Sequence, residues 1–299
     1  GHLCVEYAMT INNIFSNLRQ SQEYGRLSKS LTKKSGDIHA TILGPALPYC
    51  IGALRTDLKL PILIVLDRPE RANKVYEDLS VWCGDDGEVY QFPELGLLPY
   101  ERVISDHAIT HDRLKILSIL SHRNYTTNAL PPIIVTSLQS ISQKTLTINH
   151  FRSSCRQIKV GDTADQQQLL DFLQKTGYRI ARLVDTPGSI SRRGGIIDVY
   201  PTAAAHPCRI EFFGSTVESI RLFDPVSQLS LQQIESILIP PAEECLPSIV
   251  DKQEIENLRN QLDMDNCSEI EQLRIANDLT MAVEGYTLDE PAFYQGFFC

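Results

Sequence analysis

Apolar positions along this chain change their period twice. From Asp37 onward, three short apolar or β-branched runs, Ile38–Leu43, Pro61–Asp67 (PILIVLD) and Pro132–Ser137 (PIIVTS), are separated by stretches with helical spacing. A strand that is apolar at consecutive positions is covered on both faces, the environment of a parallel sheet between helices. Residues 37–152 therefore predict an α/β layer. It follows a polar helical extension over 1–36, whose apolar positions are Ile11, Ile14, Phe15 and Leu18. Beyond residue 152 the texture shifts. Thr163 is placed to cap a helix, with Gln166 three residues on, Leu169, Leu170, Phe172 and Leu173 as its stripe and Gly177 as its stop. Four strand-like runs follow, Tyr178–Asp185, Gly194–Tyr200, Cys208–Phe213 and Val217–Phe223. They are punctuated by Pro187-Gly188, the Pro201–Pro207 loop, Gly214-Ser215 and Asp224-Pro225. That is an antiparallel meander with a helix on one side, an α+β domain over 153–241. From Ala242 helical spacing returns, with Ile255, Leu258 and Leu262 and then Ile270, Leu273 and Leu279. The expected organisation is an α/β domain made of 37–152 and 242–299, interrupted by an inserted domain.

Charge narrows the choice of partners. The formal net charge is -9, but residues 1–152 hold 16 basic against 15 acidic side chains and 153–241 hold 9 against 9. Residues 242–299, with 3 against 13, carry the acidity. Duplex binding needs a basic surface that displaces counterions, so nucleic acid is a poor primary partner for this chain. No run of about 18 apolar residues and no signal-like start is present, so no membrane partner is expected and the location expected is cytoplasmic. The eight cysteines, at 4, 50, 83, 155, 208, 245, 267 and 299, stand singly without a C-x-x-C pair, which indicates neither a disulfide framework nor a cysteine zinc site.

Catalytic chemistry is missing where this layer would carry it. In a RecA-like arrangement the segment Gly44-Pro45-Ala46-Leu47-Pro48-Tyr49-Cys50 occupies the phosphate-loop position. A working loop needs glycine N–H groups around the phosphates, a lysine and a metal-binding hydroxyl. Pro45 and Pro48 each remove a donor, Gly44 is not followed by a Gly-Lys-Ser/Thr triplet, and the apolar run ending at Asp67 continues into Arg68. The expectation is a degenerate nucleotide loop without ATPase or helicase chemistry and without a cofactor. His107 and His111, four apart beside Asp106 and Asp112, have a spacing at which two imidazoles can share a metal. Two ligands do not complete a tetrahedral site, and the reading is of a solvated helix face with no metal.

One segment carries a resemblance. Within Thr186–Gln228, the runs Arg193-Gly194-Gly195-Ile196-Ile197-Asp198-Val199-Tyr200-Pro201, Arg209-Ile210-Glu211-Phe212-Phe213 and Ser219-Ile220-Arg221-Leu222-Phe223-Asp224 match, in order and spacing, a segment shared by two families. These are the nucleotide-excision-repair helicase UvrB and the transcription-repair coupling factor Mfd. Leu98-Pro99-Tyr100-Glu101 and Ile239-Pro240-Pro241-Ala242-Glu243 also resemble Mfd, and the absent phosphate loop favours it over UvrB. The resemblance implies an amino-terminal module, a degenerate helicase-like domain with an inserted domain that recruits the UvrA protein for transcription-coupled nucleotide excision repair. It also implies RNA-polymerase and DNA contacts, with ATP-driven translocation, in later domains absent from this chain. The alternative is a divergent UvrB-like DNA helicase fragment that binds nucleotide.

Strand arithmetic gives that binding domain a face. Alternation along 209–213 puts Arg209, Glu211 and Phe213 on one side and Ile210 and Phe212 on the other, so the charged side should meet water. Phe213 among charges has the composition of an interface anchor, or else lies beneath a neighbouring loop. The resemblance decides for the anchor, since Arg193, Arg209 and Phe213 fall on positions those families use to hold UvrA. Arg192 is a neighbour only. The three residues are expected to be dispensable for folding. Gly188, Gly194 and Pro201 are read as turn and close-approach residues. Asp198 either pairs with an arginine of this face or is a solvated carboxylate.

Overall fold

The computed structural model describes residues 15–33, 36–83, 88–96, 107–122, 130–288 and 290–298. The sequence readings at Ile11, Ile14, Leu98–Glu101 and Asp106 lie outside these. The chain divides into two compact units, one made of residues 1–94 and 124–142 and the other of 95–123 and 143–299. These bounds differ from cuts at 152 and 241. The segment holding the helix His107–His122 falls in the second unit, with the meander.

In the first unit, β1 (Ile62–Leu66), β2 (Val89–Phe92) and β3 (Ile133–Ser137) form a parallel sheet in the order β1-β3-β2, with Ile62 and Val89 both opposite Ile133. Helix Pro69–Cys83 buries Ala72 and Leu79 against Ile133 and Val135 of β3. Central β3 is buried at every position, as an apolar strand should be. Edge strand β1 is not: Leu63 and Val65 of PILIVLD are exposed, so two-sided cover fails there. The expected strand Ile38–Leu43 is absent. Its residues are extended without a ladder partner, Ile42 packs against the neighbouring helices and Leu43 projects into solvent. Helix Gln22–Thr32, capped by Ser21 accepting from Tyr24 N at 3.1 Å, docks on helix Leu47–Leu58. The Tyr24 hydroxyl donates to Asp57 at 2.6 Å, and Arg19 donates to the same carboxylate at 2.9 Å.

In the second unit, a six-stranded sheet runs β10-β9-β8-β7-β6-β5. The strands are β5 (Arg179–Ile180), β6 (Ser189–Arg193), β7 (Ile196–Val199), β8 (Cys208–Phe213), β9 (Thr216–Phe223) and β10 (Ser230–Ile234). Neighbours are antiparallel from β10 to β6, whereas β5 joins β6 in parallel. The meander is thus as expected, but Tyr178–Asp185 pairs only over Arg179–Ile180, because β6 runs parallel to β5 and the residues between them must carry the chain back to the start of β6. The polar run Ser189–Arg193 had given no strand signal. A separate antiparallel pair, β4 (Arg156–Lys159) with β11 (Ser236–Ile239), closes the domain. Helix Gln166–Lys175 lays Leu169, Leu170 and Leu173 on Ile190, Ile197, Val199, Ile210 and Ile220.

That helix starts two residues later than its spacing suggested. Asp165 caps it, accepting from Gln168 N at 2.9 Å, because Thr163 is held in a β-bridge to Thr216. In helix Glu269–Val283 the buried residues are Ile275, Leu279 and Ala282. The expected core residues Ile270 and Leu273 are exposed. At about 100° per residue they lie on the side away from Ile275, and Leu279 alone of that predicted stripe is inside.

Two glycines test the close packing of this unit. Gly177 has φ +100° and a Cβ there would sit 2.8 Å from the Glu243 backbone nitrogen, whereas Gly194, at φ +60°, has open space around it. Gly177→Ala is expected to cost about 3 kcal/mol or more and Gly194→Ala about 1 kcal/mol, read from denaturant unfolding. Equal costs would mean that backbone strain alone, and not the approach of Glu243, fixes Gly177.

Candidate partner face and buried acidic seam

The face predicted from alternation exists. On β8, Cys208, Ile210 and Phe212 are buried, while Arg209 and Glu211 are partly exposed and Phe213 is 79% exposed. Phe213 pairs with Thr216 at the end of the hairpin, beyond which Gly214 supplies the positive φ of the turn. It is not covered by a loop among the described residues. Asp198 of β7 stands directly opposite Arg209 on the same face. Its carboxylate receives a forked pair from Arg209, Nε to Oδ1 at 2.8 Å and Nη2 to Oδ2 at 2.9 Å. Arg193 approaches Oδ2 at 3.7 Å. The Arg209 guanidinium also lies 4.9 Å from the ring centroid of buried Phe223. Alternation on β6 sends Arg192 the other way, where it donates to Gln167 Oε1 at 3.1 Å.

The three predicted residues therefore do different things. Phe213 is free apolar area; Arg193 is half exposed and loosely held; Arg209 is a fixed cation that neutralises a buried carboxylate. The expectation that Arg209 is dispensable for folding gives way here, because its removal leaves Asp198 with only a distant partner. A second network completes the face and was not anticipated: Glu211 accepts from Ser219 at 2.6 Å and from Arg221 at 3.1 Å. Its signal in the sequence was faint, since the opposed positions of β8 and β9 shift by a bulge between Glu211 and Phe212.

Of the expected turn residues, Gly188 has φ +80° and a Cβ there would stand 3.2 Å from His111 Nε2, a close approach as anticipated. Gly194 shapes a turn only. At the segment expected to be a degenerate nucleotide loop, Gly44-Pro45-Ala46 is a short 3-10 turn that leads, through Pro48 in the first turn, into helix Leu47–Leu58 without a side-chain cap. The strand that should precede a phosphate loop is missing, as described above. No group of three or more metal-ligating side chains is present among the described residues.

A second cluster was not foreseen. Residues Pro240 to Leu246 are buried throughout. Tyr178 donates to Pro240 O at 2.7 Å, Thr202 to Pro241 O at 3.1 Å, and Ala242 N to Thr176 O at 2.7 Å. Two consecutive acids follow. Glu244 is clamped by fully buried Arg113, Nε to Oε1 at 2.6 Å and Nη2 to Oε2 at 3.1 Å. Glu243 is held more loosely, with Arg179 Nη2 at 3.7 Å and His107 Nδ1 at 3.8 Å. Arg179 Nη1 donates to His107 Nε2 at 2.6 Å, and the ring of His111 lies 6.3 Å from that of His107. Burial raises the Glu243 carboxyl to about 7, against the opposing pull of Arg179 and with a further push from Glu244. The donation from an obligate cation fixes His107 Nε2 as an acceptor, which takes that nitrogen away from any metal.

With both sites described, the class of the chain follows. The family model for the UvrB interaction domain matches residues 157–245, a stretch holding the whole six-stranded sheet, its helix and the first acids of the seam. The chain thus carries a UvrB interaction domain. It is 28% identical over 297 residues to the transcription-repair-coupling factor of Bacillus subtilis, covering 96% of this chain and 25% of that protein. With the transcription-repair-coupling factor of Myxococcus xanthus it shares 32% identity over 208 residues, 68% of this chain and 17% of that protein. The protein of the same name from Staphylococcus epidermidis is 28% identical over 236 residues, 78% of this chain and 19% of that one. These matches place the chain with the transcription-repair-coupling factors, as a module bearing a UvrB interaction domain, and it spans a quarter or less of their length.

The two buried carboxylates predict opposite behaviour. Removing the Arg209 clamp, by Arg209→Ala, should cost about 2 kcal/mol in denaturant unfolding, while Phe213→Ala should change stability by less than about 0.5 kcal/mol. A neutral Arg209→Ala would show that Asp198 does not depend on it. Glu243, raised in the folded state above its ordinary 4.5 to about 7, favours the fold fully below pH 4.5 and loses that contribution as pH rises through about 7. Glu243→Gln should therefore stabilise the chain at pH 8, by on the order of 2–3 kcal/mol, and hardly at all at pH 4. A pH-independent effect would mean that Glu243 does not titrate in this range.

Proposed function

We propose that this module recruits a UvrA-type partner through the face around Arg193, Arg209 and Phe213, within transcription-coupled nucleotide excision repair, and that it contributes no ATPase or helicase chemistry of its own. The carrying observation is Phe213, a large aromatic 79% exposed at the end of a hairpin whose sheet also carries Arg209, clamped on buried Asp198, and the more loosely held Arg193. An exposed ring on the same sheet face as arginines is the composition of a binding anchor: the ring loses apolar area to a partner and the arginines give orientation toward its carboxylates. The names of the relatives and the matched domain support the same reading. The segment 153–241, read from the sequence as an inserted domain, nearly coincides with the matched 157–245.

The first unit, on this proposal, is a degenerate helicase-like layer. Its parallel β1-β3-β2 sheet suits that relation, and the prolines of the Gly44–Cys50 segment leave too few N–H donors for a phosphate cradle. RNA-polymerase binding, DNA translocation and a cytoplasmic setting belong to the proposal as properties of a longer protein of this kind. Among the described residues no helix is long and apolar enough to cross a membrane.

The test is a calorimetric titration of the chain against purified UvrA. Phe213→Ala and Arg193→Ala should each weaken binding about thirtyfold or more. Arg68→Ala, on the first unit, should change little, and raised salt should weaken the wild type more than Arg193→Ala. Wild-type affinity in both face variants, with unchanged circular dichroism, would remove this face as the docking site. ATP turnover that copurifies with the chain and is lost on altering Gly44 would overturn the claim of missing chemistry.

A further inference from the structure

The buried acidic seam opens onto a cavity that the partner face does not use. Its volume is about 780 Å³, within the range of small-molecule sites, and it lies wholly in the second unit. One wall is the His107, His111, Asp112 and Lys115 face of helix His107–His122. The opposite side brings Arg179 of β5, buried Glu243 and the small side chains of Ala203, Ala204 and Ala205. Gly188 keeps the wall next to His111 open, since any side chain there would press on the imidazole.

Donors in this cavity exceed what the protein itself uses. Arg179 spends one N–H on His107 and faces Glu243 only at ion-pair distance, so most of its five donors remain for another acceptor. Lys115 has neither a hydrogen bond nor an ion pair among the described residues. The acceptors are fewer: Asp112 is exposed, Glu244 is consumed by Arg113, and Glu243 is the carboxylate that burial works against. We propose that this cavity binds a small anionic molecule, one carrying a phosphate or clustered carboxylates, with Arg179 and Lys115 as its cationic contacts. Glu243 then competes with the ligand for Arg179. Proton uptake by Glu243 frees the guanidinium, so affinity rises as pH falls through about 7.

Inorganic phosphate and citrate serve as probes, titrated calorimetrically into the whole 299-residue chain at about pH 6 and about pH 8. Either probe should bind, more tightly at the lower pH; a response to phosphate alone assigns a phosphate-bearing ligand, and to citrate alone a polycarboxylate. Arg179→Ala should weaken binding about tenfold or more, and Lys115→Ala several-fold, while Arg71→Ala in the first unit has no effect. Lys115→Ala decides the matter if Arg179→Ala fails to fold, because Lys115 holds nothing in the fold. Glu243→Gln should bring the affinity at about pH 8 close to that of the wild type at about pH 6. Absence of binding by both probes at both pH values, or wild-type affinity in Lys115→Ala and in folded Arg179→Ala, overturns the proposal. A pH dependence unchanged in Glu243→Gln overturns the competition assigned to that carboxyl.

Discussion

The second unit depends on the burial of a peptide that carries two acids. Pro240 to Leu246 runs through the interior, and its polar groups are met one by one: carbonyls by Tyr178 and Thr202, an amide by Thr176, a carboxylate by Arg113. Burying such a segment without these partners would cost several kcal/mol for each unpaired group. The partners come from helix His107–His122, from the end of helix Gln166–Lys175 and from the loop after β7. The seam is therefore where elements far apart in sequence are made to agree. Gly177 is part of the same constraint, for only a residue without a side chain lets Glu243 come so near its backbone.

The partner face follows a similar logic at smaller scale. A carboxylate buried on an otherwise polar sheet face needs a fixed cation, and Arg209 is placed for it by strand register, directly opposite Asp198. The buried ring of Phe223 lies against the same guanidinium and adds a cation–π contact to the clamp. With Arg209 fixed, Arg193 approaches the shared carboxylate from the adjacent strand β6 at 3.7 Å, and the donors of Arg209 are held in one orientation. Holding so flexible a side chain in one geometry is preorganisation, the property that lowers the entropy lost in any contact Arg209 makes. Phe213 needs no such help, having two side-chain torsions and standing at a two-residue turn.

Legibility from the sequence divided along the range of the interactions. Periodicity two on β8 was sufficient to place Arg209, Glu211 and Phe213 on one face, since alternation within a strand is a local property. Asp198 could be suspected but not assigned, because its pairing depends on the register between β7 and β8. The strand expected at Ile38–Leu43 and the covered outer face of β1 both failed for one reason: apolar runs declare that a residue can be buried, not that a neighbour exists to bury it. The polar strand Ser189–Arg193 is the converse, held in the sheet by β5 and β7 rather than by its own pattern. Nothing in the spacing of His107, Arg179 and Glu243, separated by more than sixty residues at each step, announced that they meet.

Adjacent Glu243 and Glu244 show how environment separates two identical side chains. Glu244 meets a guanidinium in a two-point fork with no solvent access, so its charge is matched where it stands, and Arg113 in turn has no alternative so well placed. Glu243 meets the Arg179 guanidinium only at 3.7 Å and the His107 imidazole at 3.8 Å, distances at which Coulomb attraction to the guanidinium survives but hydrogen bonds do not. A buried carboxyl with attraction but without hydrogen bonds sits near the balance between its two protonation states, which is where its raised pKa puts it. A second forked arginine would have made Glu243 as inert as its neighbour. Arg179 instead divides itself between Glu243 and His107 and remains half open to the cavity, so the looseness that costs the fold stability at neutral pH is the same feature that leaves a cation available to a ligand.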